Sequence, residues 1–181
     1  MNTQLVMAAQ RGDEEAFATL VHVHGGRLQA LAHRILRDAD LAEDATQQAL
    51  LRIWKSLPTL RDPARFESWS YQLLIRACHA EARHMRHWSP AIRLVETDGP
   101  AIDPLAGIAD RDQLERAFRT LSVDHRAVVV LHHYLDLTLM EVAAVLGIPL
   151  GTAGSRLHYA MKALHAALDA AARPAIQQAS R

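Results

Sequence analysis

Apolar residues along this chain recur at intervals of three and four, and no run long enough for a strand alternates with period two. That spacing lines up one face of a helix and scatters around a strand, so the expected fold class is all-α. Asp13 is placed to cap a helix carrying Phe17, Leu20 and Val21. The Gly25-Gly26 pair is expected to weaken or kink it before Leu28, Leu31, Ile35 and Leu36 resume the stripe. Asp40-Leu41-Ala42-Glu43 reads as a capping box opening a helix to about Leu57, where Pro58 prevents continuation. Asp62-Pro63 restarts the chain as an N-cap followed by a proline suited to a first helical turn, and Phe66, Trp69, Leu73, Ala77 and Ala80 share the next apolar face.

From Ser89 to Gly107 the pattern is broken by Pro90, Gly99, Pro100 and Pro104, which marks a flexible linker. Leu114, Phe118 and Leu121 then mark one helix, and Ser122 caps a second running through Val128, Leu131 and Leu135. Thr138-Leu139-Met140-Glu141 is a capping box for a third helix ending at Gly147, and Pro149 starts a fourth that reaches about Ala172. The reading is of two small helical domains, 1–88 and 109–172, joined by a linker at 89–108 and followed by a tail at 173–181.

Half of the 181 residues are hydrophobic, enough for packed cores. No apolar run approaches the ~20 residues that cross a bilayer, and the first residues lack a basic stretch followed by an apolar one. With a single cysteine, Cys78, no intramolecular disulfide is available, so a reducing cytoplasm without membrane insertion is expected. Lys plus Arg and Asp plus Glu both total 20. A DNA-binding role therefore draws no support from bulk charge, unless a larger partner supplies most phosphate contacts.

Three local features carry function. Val142, Ala143, Leu146, Ile148 and Leu157 are spaced to form the small core between two helices joined by the turn Gly147-Ile148-Pro149. This is helix-turn-helix spacing, although an αα-corner in an ordinary bundle has it too. Thr152, Ser155, Arg156, Tyr159 and Lys162 on the second helix supply the hydroxyls and cations that phosphates and base edges require. On the helix from Leu41 to Leu57, the apolar Leu51 stands among Asp44, Gln47, Gln48 and Lys55, a pattern shared by solvated faces and partner-binding faces. Third, Arg61, Arg65, Phe66, Trp69, Tyr71, Arg76, Arg83 and Arg86 interleave cations with aromatics, as single-stranded nucleic acid requires. Phe66 and Trp69, however, lie on an apolar stripe and are expected in the core rather than as stacking platforms.

In this order the features resemble the extracytoplasmic-function (ECF) sigma factors of the sigma-70 family. The resemblance runs from about Asp13 to Leu168 through GDEEAFATLV, LAEDATQQALLRIW, FESWSYQLLIRACHAEAR and AFRTLSVDHRAVVVLHHYLDLTLMEVAAVLGIPLGTAGSRLHYAMKAL. It implies a sigma2-like domain and a sigma4-like helix-turn-helix domain, with core RNA polymerase and promoter DNA as partners and an anti-sigma factor as a further one. The polymerase contacts would be the clamp helices of the largest subunit and the flap. By resemblance, Asp44, Gln47, Gln48, Leu51 and Trp54 match the polymerase-binding helix, with Gln48 where glutamate is usual. Arg61, Arg65, Phe66, Trp69, Arg76 and Arg83 fall in the minus-ten-reading segment, with Arg76 and Ala80 replacing the common asparagine and aspartate. Thr152, Ser155, Arg156, His158, Tyr159 and Lys162 fall on the helix that reads the minus-thirty-five element. There Ala153, Gly154 and Tyr159 replace the usual valine, basic residue and arginine, which predicts weak or unusual reading.

Cys78, His79, His84 and His87 lie close in sequence, but only His84 and His87 have a helical ligand spacing, so no metal is expected. Glu14, Glu15, Glu43 and Asp44 sit at helix starts, where the macrodipole accounts for them. No phosphate loop or nucleophile elbow is present, so neither a cofactor nor catalysis is expected. Two rival readings stand beside the sigma factor. One is a one-component helix-turn-helix regulator that binds operator DNA as a dimer; the other is a helical adaptor that binds only protein.

Overall fold

The computed structural model describes residues 2–88 and 107–179, with side chains for 2–85 and 114–170. The helices are α1 (Thr3–Gln10), α2 (Glu14–Leu36), α3 (Ala39–Ser56), α4 (Phe66–Trp88), α5 (Gly107–Thr120), α6 (Val123–Val129), α7 (Leu139–Leu146) and α8 (Leu150–Ala179). Short 3-10 turns at Leu57–Thr59 and Pro63–Arg65 join α3 to α4, and a π-helical turn, Val130–Tyr134, extends α6. No strand occurs among the described residues. Most of the expected linker, 89–106, lies outside them.

Local chemistry sets most boundaries. Asp13 accepts from Ala16 N and starts α2, Asp62 accepts from Ala64 N, and Ser122 accepts from His125 N. Thr138 and Glu141 form the full reciprocal capping box, and Gly147 closes α7 at φ 66°, a left-handed conformation glycine adopts without steric cost. Three expectations are corrected and one helix is added. The α3 cap is Asp38, which accepts from Leu41 N, and not Asp40. Helix α2 runs unbroken through Gly25 and Gly26, because Leu20, His24, Leu28 and Leu31 are all packed inward and hold the turns on either side. Pro149 precedes the first turn of α8, its carbonyl accepting from Thr152 N and Ala153 N, and α8 continues to Ala179. Helix α1 was not anticipated; Asn2 caps it and Val6 and Ala9 bury it against α2.

In the N-terminal half, α2, α3 and α4 pack on one another. The inner face of α3 is Ala42, Ala45 and Ala49, each 0% exposed, ending in Ile53. Such small side chains let helix axes approach toward the short end of the ~8–10 Å range. Leu20, Leu28, Leu31, Ile35, Leu57, Phe66 and Leu74 fill the remaining space, each burial worth about 1.5–3 kcal/mol. His24 is also inside, only 4% exposed. Its Nε2 lies 2.8 Å from Ser70 Oγ, which itself donates to the Glu67 carbonyl. The Nε2–H must therefore be the donor, and burial lowers the His24 pKa, holding the ring neutral. Downstream, Ala153, Ala160 and Leu164 turn α8 toward α5, α6 and α7, with Val128, Leu131 and Val142 between them.

Candidate functional site

On α3 the inner alanines force the other residues outward. Asp44 and Gln47 are exposed, and Leu51 is 58% exposed, a large apolar side chain in water. Gln48 is half-buried because its amide donates to Glu81 Oε1 on α4. Trp54 is half-buried against Phe17 of α2, ring centroids 4.5 Å apart. Leu51 thus stands on a ridge between two grooves. One, of about 590 Å³, has Phe17, Val21, Leu50 and Trp54 in its walls. The other, of about 520 Å³, is lined by Asp44, Gln48, Glu81 and His84. Phe17 and Val21 were legible only as apolar stripe; that they build the groove depends on how α2 crosses α3.

Trp69, Gln72, Arg76 and Arg83 follow one another at three, four and seven residues along α4, so they form a stripe some 21 Å long. Arg76 and Arg83 are exposed, and Trp69 and Gln72 are half-buried. Just upstream, Arg61 and Arg65 are exposed in the connection from α3 to α4, and Arg65 lies 3.5 Å from Asp62. Of the residues that the resemblance put in the minus-ten segment, Phe66 is 2% exposed, between His24 and Trp69, and is core, the side its apolar stripe favours. The hydrogen bond of Asp62 to Ala64 N fixes the turn that points Arg65 out and Phe66 in.

The third surface is α7, the turn at Gly147, and α8. Ser155, His158, Tyr159 and Lys162 are exposed along the outer side of α8 and Thr152 is half-buried, opposite the buried Ala153, Ala160 and Leu164. Tyr159 is 60% exposed, its ring 5.5 Å from that of His158. Arg156 is turned toward α6, its Nη1 3.5 Å from Asp124 Oδ1. The same carboxylate oxygen lies 3.1 Å from His79 Nε2 of α4. Cys78 is fully buried, and burial pushes its thiol up to about 12. Among the described residues no three His, Cys, Asp or Glu side chains are grouped to hold a metal ion. No described helix is long and apolar enough to cross a membrane.

The family models match in the same order as these surfaces: Sigma-70 region 2 over residues 20–87 and Sigma-70 region 4 over residues 111–164. Among relatives, the chain is 30% identical to the ECF RNA polymerase sigma factor SigL of Mycobacterium tuberculosis, over 91% of this chain and 95% of that one. It is 28% identical to the RNA polymerase sigma-H factor of Pseudomonas aeruginosa, over 92% and 93%. Among solved structures it resembles CnrH in complex with the cytosolic domain of CnrY, with a TM-score of 0.67, 25% identity and coverage of 93% and 97%. It also resembles the sigma factor RpoE in complex with the anti-sigma factor NepR from Bartonella quintana, with a TM-score of 0.69, 23% identity and coverage of 84% and 96%.

An all-helical body with an exposed apolar ridge, joined to a helix-turn-helix and matched by both sigma-70 regions, is of the class that gives bacterial RNA polymerase its promoter recognition. Within that class the chain belongs to the ECF sigma factors of the sigma-70 family. Members of this family direct transcription initiation and are not themselves enzymes.

Proposed function

We propose that residues 1–88 bind core polymerase and read the minus-ten element, and that the helix-turn-helix domain from 109 onward reads the minus-thirty-five element of a specific regulon in the cytoplasm. The observation that carries this reading is Leu51, 58% exposed on a ridge flanked by two grooves. An exposed leucine between concave walls gains free energy only when a partner covers it. Asp44, Gln47, Gln48, Leu51 and Trp54 are assigned to the clamp helices of the largest subunit. Arg61, Arg65, Trp69, Arg76 and Arg83 are assigned to the minus-ten strand, where cations track phosphates and an aromatic stacks on a base. Thr152, Ser155, Arg156, His158, Tyr159 and Lys162 are assigned to the minus-thirty-five duplex. The polymerase, holding most of the DNA, makes the zero net charge workable. CnrH was solved with the cytosolic domain of CnrY and RpoE with the anti-sigma factor NepR, which supports an anti-sigma factor for this chain too.

Run-off transcription with purified core polymerase and a genomic promoter library tests the reading. Promoter-specific starts that require this chain are expected. Binding to a palindromic duplex as a dimer, with no effect on polymerase, would replace it with the one-component regulator.

A further inference from the structure

The buried stripe of α4 runs through Leu74, Ala77 and Cys78, and helical spacing carries it on to position 81. An apolar side chain is expected there, yet the residue is Glu81, only 9% exposed. From α3 the Gln48 amide donates to Glu81 Oε1. Among the described residues Glu81 has no ion pair. A carboxylate taken out of water without a counter-charge is costly, and one neutral amide fills only one of its roughly four acceptor sites. An apolar residue of similar volume would serve the fold as well or better. Packing therefore does not account for Glu81, and its charge calls for a group that the chain itself does not supply.

Beside it there is room for one. Glu81 and Gln48 line the groove of about 520 Å³ between α3 and α4, together with Asp44 and His84. Two carboxylates border this groove and no lysine or arginine does, and Leu51, 58% exposed, forms its edge. A long cationic side chain answers all of these features, its head on the carboxylate and its aliphatic stem along the leucine. Arginine suits the place better than lysine, because a planar guanidinium gives two parallel hydrogen bonds to one carboxylate where an ammonium is a point charge. Gln48 orients that carboxylate without neutralising it; a lysine or arginine at position 48 would have cancelled the charge.

We propose that Glu81, positioned by Gln48, is a polymerase-recognition residue that receives an arginine side chain of core polymerase in the groove behind Leu51. The proposal rests on the assignment of the outer face of α3 to the polymerase and adds to it a residue of α4.

The test measures the affinity of the full chain for core polymerase, with thermal melting of the free chain beside it. Glu81→Gln keeps the side-chain shape and leaves an amide oxygen for Gln48 to donate to, so only charge is removed. Binding should weaken by roughly 30-fold or more, as when one partner of a buried charged pair is truncated. The melting temperature should stay level or rise, since a buried charge without a counter-charge is gone. A purely structural role would lower both. Gln48→Glu combined with Glu81→Gln returns the carboxylate to the groove from the other helix, with the amide of residue 81 now the donor, and should recover most of the affinity.

Leu51→Asp, measured alongside, separates this proposal from the reading beneath it. If Leu51→Asp abolishes binding while Glu81→Gln binds as the wild type does, the arginine contact is overturned and the assignment of α3 stands. If both variants bind normally, α3 is not the polymerase face and the proposal falls with it. A lowered melting temperature in Glu81→Gln, or a loss of binding that the double variant does not recover, would make Glu81 part of the fold and overturn its recognition role.

Discussion

The guanidinium of Arg156, the residue next to Ser155 and beside the outward Ser155–Tyr159–Lys162 stripe of α8, lies 3.5 Å from the carboxylate of Asp124. A pair this open to water contributes at most about 1 kcal/mol. It orients Arg156 without committing it, so the arginine remains available to a phosphate or a guanine. Arg156→Ala should lower transcription from the native promoter by about ten-fold or more and relax preference at one minus-thirty-five position, as loss of a bidentate base contact does. Asp124→Asn should leave that preference intact. If Arg156→Ala instead lowered the melting temperature and left promoter preference unchanged, the arginine would belong to the fold and not to the DNA.

Leu51 is the sharpest test of the polymerase face. Leu51→Asp places a charge on a surface that is exposed in the free chain, so the fold should keep its full helical circular dichroism. Co-purification with core polymerase should be lost, because the same charge would be desolvated in the contact. Retention of polymerase by this variant would remove α3 from the interface.

His24 makes stability depend on pH. Burial lowers its pKa below 6.5, with Glu67 opposing and Arg27 reinforcing the shift. The unfolded chain therefore binds the proton more readily than the folded one. The stabilisation is complete above the ordinary histidine value and declines as pH falls through it, by up to ~1.4 kcal/mol per pH unit for one proton. His24→Gln should flatten this part of the pH dependence between about pH 7.5 and 5.5 in urea unfolding. Parallel curves for the variant and the wild type would assign the acid sensitivity to other groups.

Cys78 should be chemically silent. With its thiol at about 12 and no exposed surface, it carries almost no thiolate near neutrality. Iodoacetamide should leave the native chain unmodified over hours and label it stoichiometrically in denaturant. Fast labelling of the native chain would mean that α4 opens locally around this residue.

What the sequence revealed followed the range of the interactions involved. The Thr138–Glu141 capping box and the Gly147 terminus were legible because each is decided within a few residues. Asp38 and Asp40 are both suitable caps; Asp38 caps α3, accepting from Leu41 N, and Asp40 falls inside its first turn. Likewise, Gly25 and Gly26 lower helix propensity, yet packing on either side outweighs that weakness. Phe66 and Trp69 share a stripe in the sequence, and the turn at Asp62 separates one into the core and leaves the other partly outside. The contact between Gln72 and Ala144 spans 72 residues and has no local signature at all.

The alanine face of α3 has a further consequence for how such a chain diversifies. With Ala42, Ala45 and Ala49 at 0% exposure, any larger residue there would overpack the helix by about 1–3 kcal/mol, a sizeable part of a domain's stability. The opposite side of the same helix, with Asp44, Gln47 and Leu51, is released from that constraint. Selection can rewrite the outer lettering while the inner lettering holds the helix in place, so partner preference can drift over generations on a backbone that does not move.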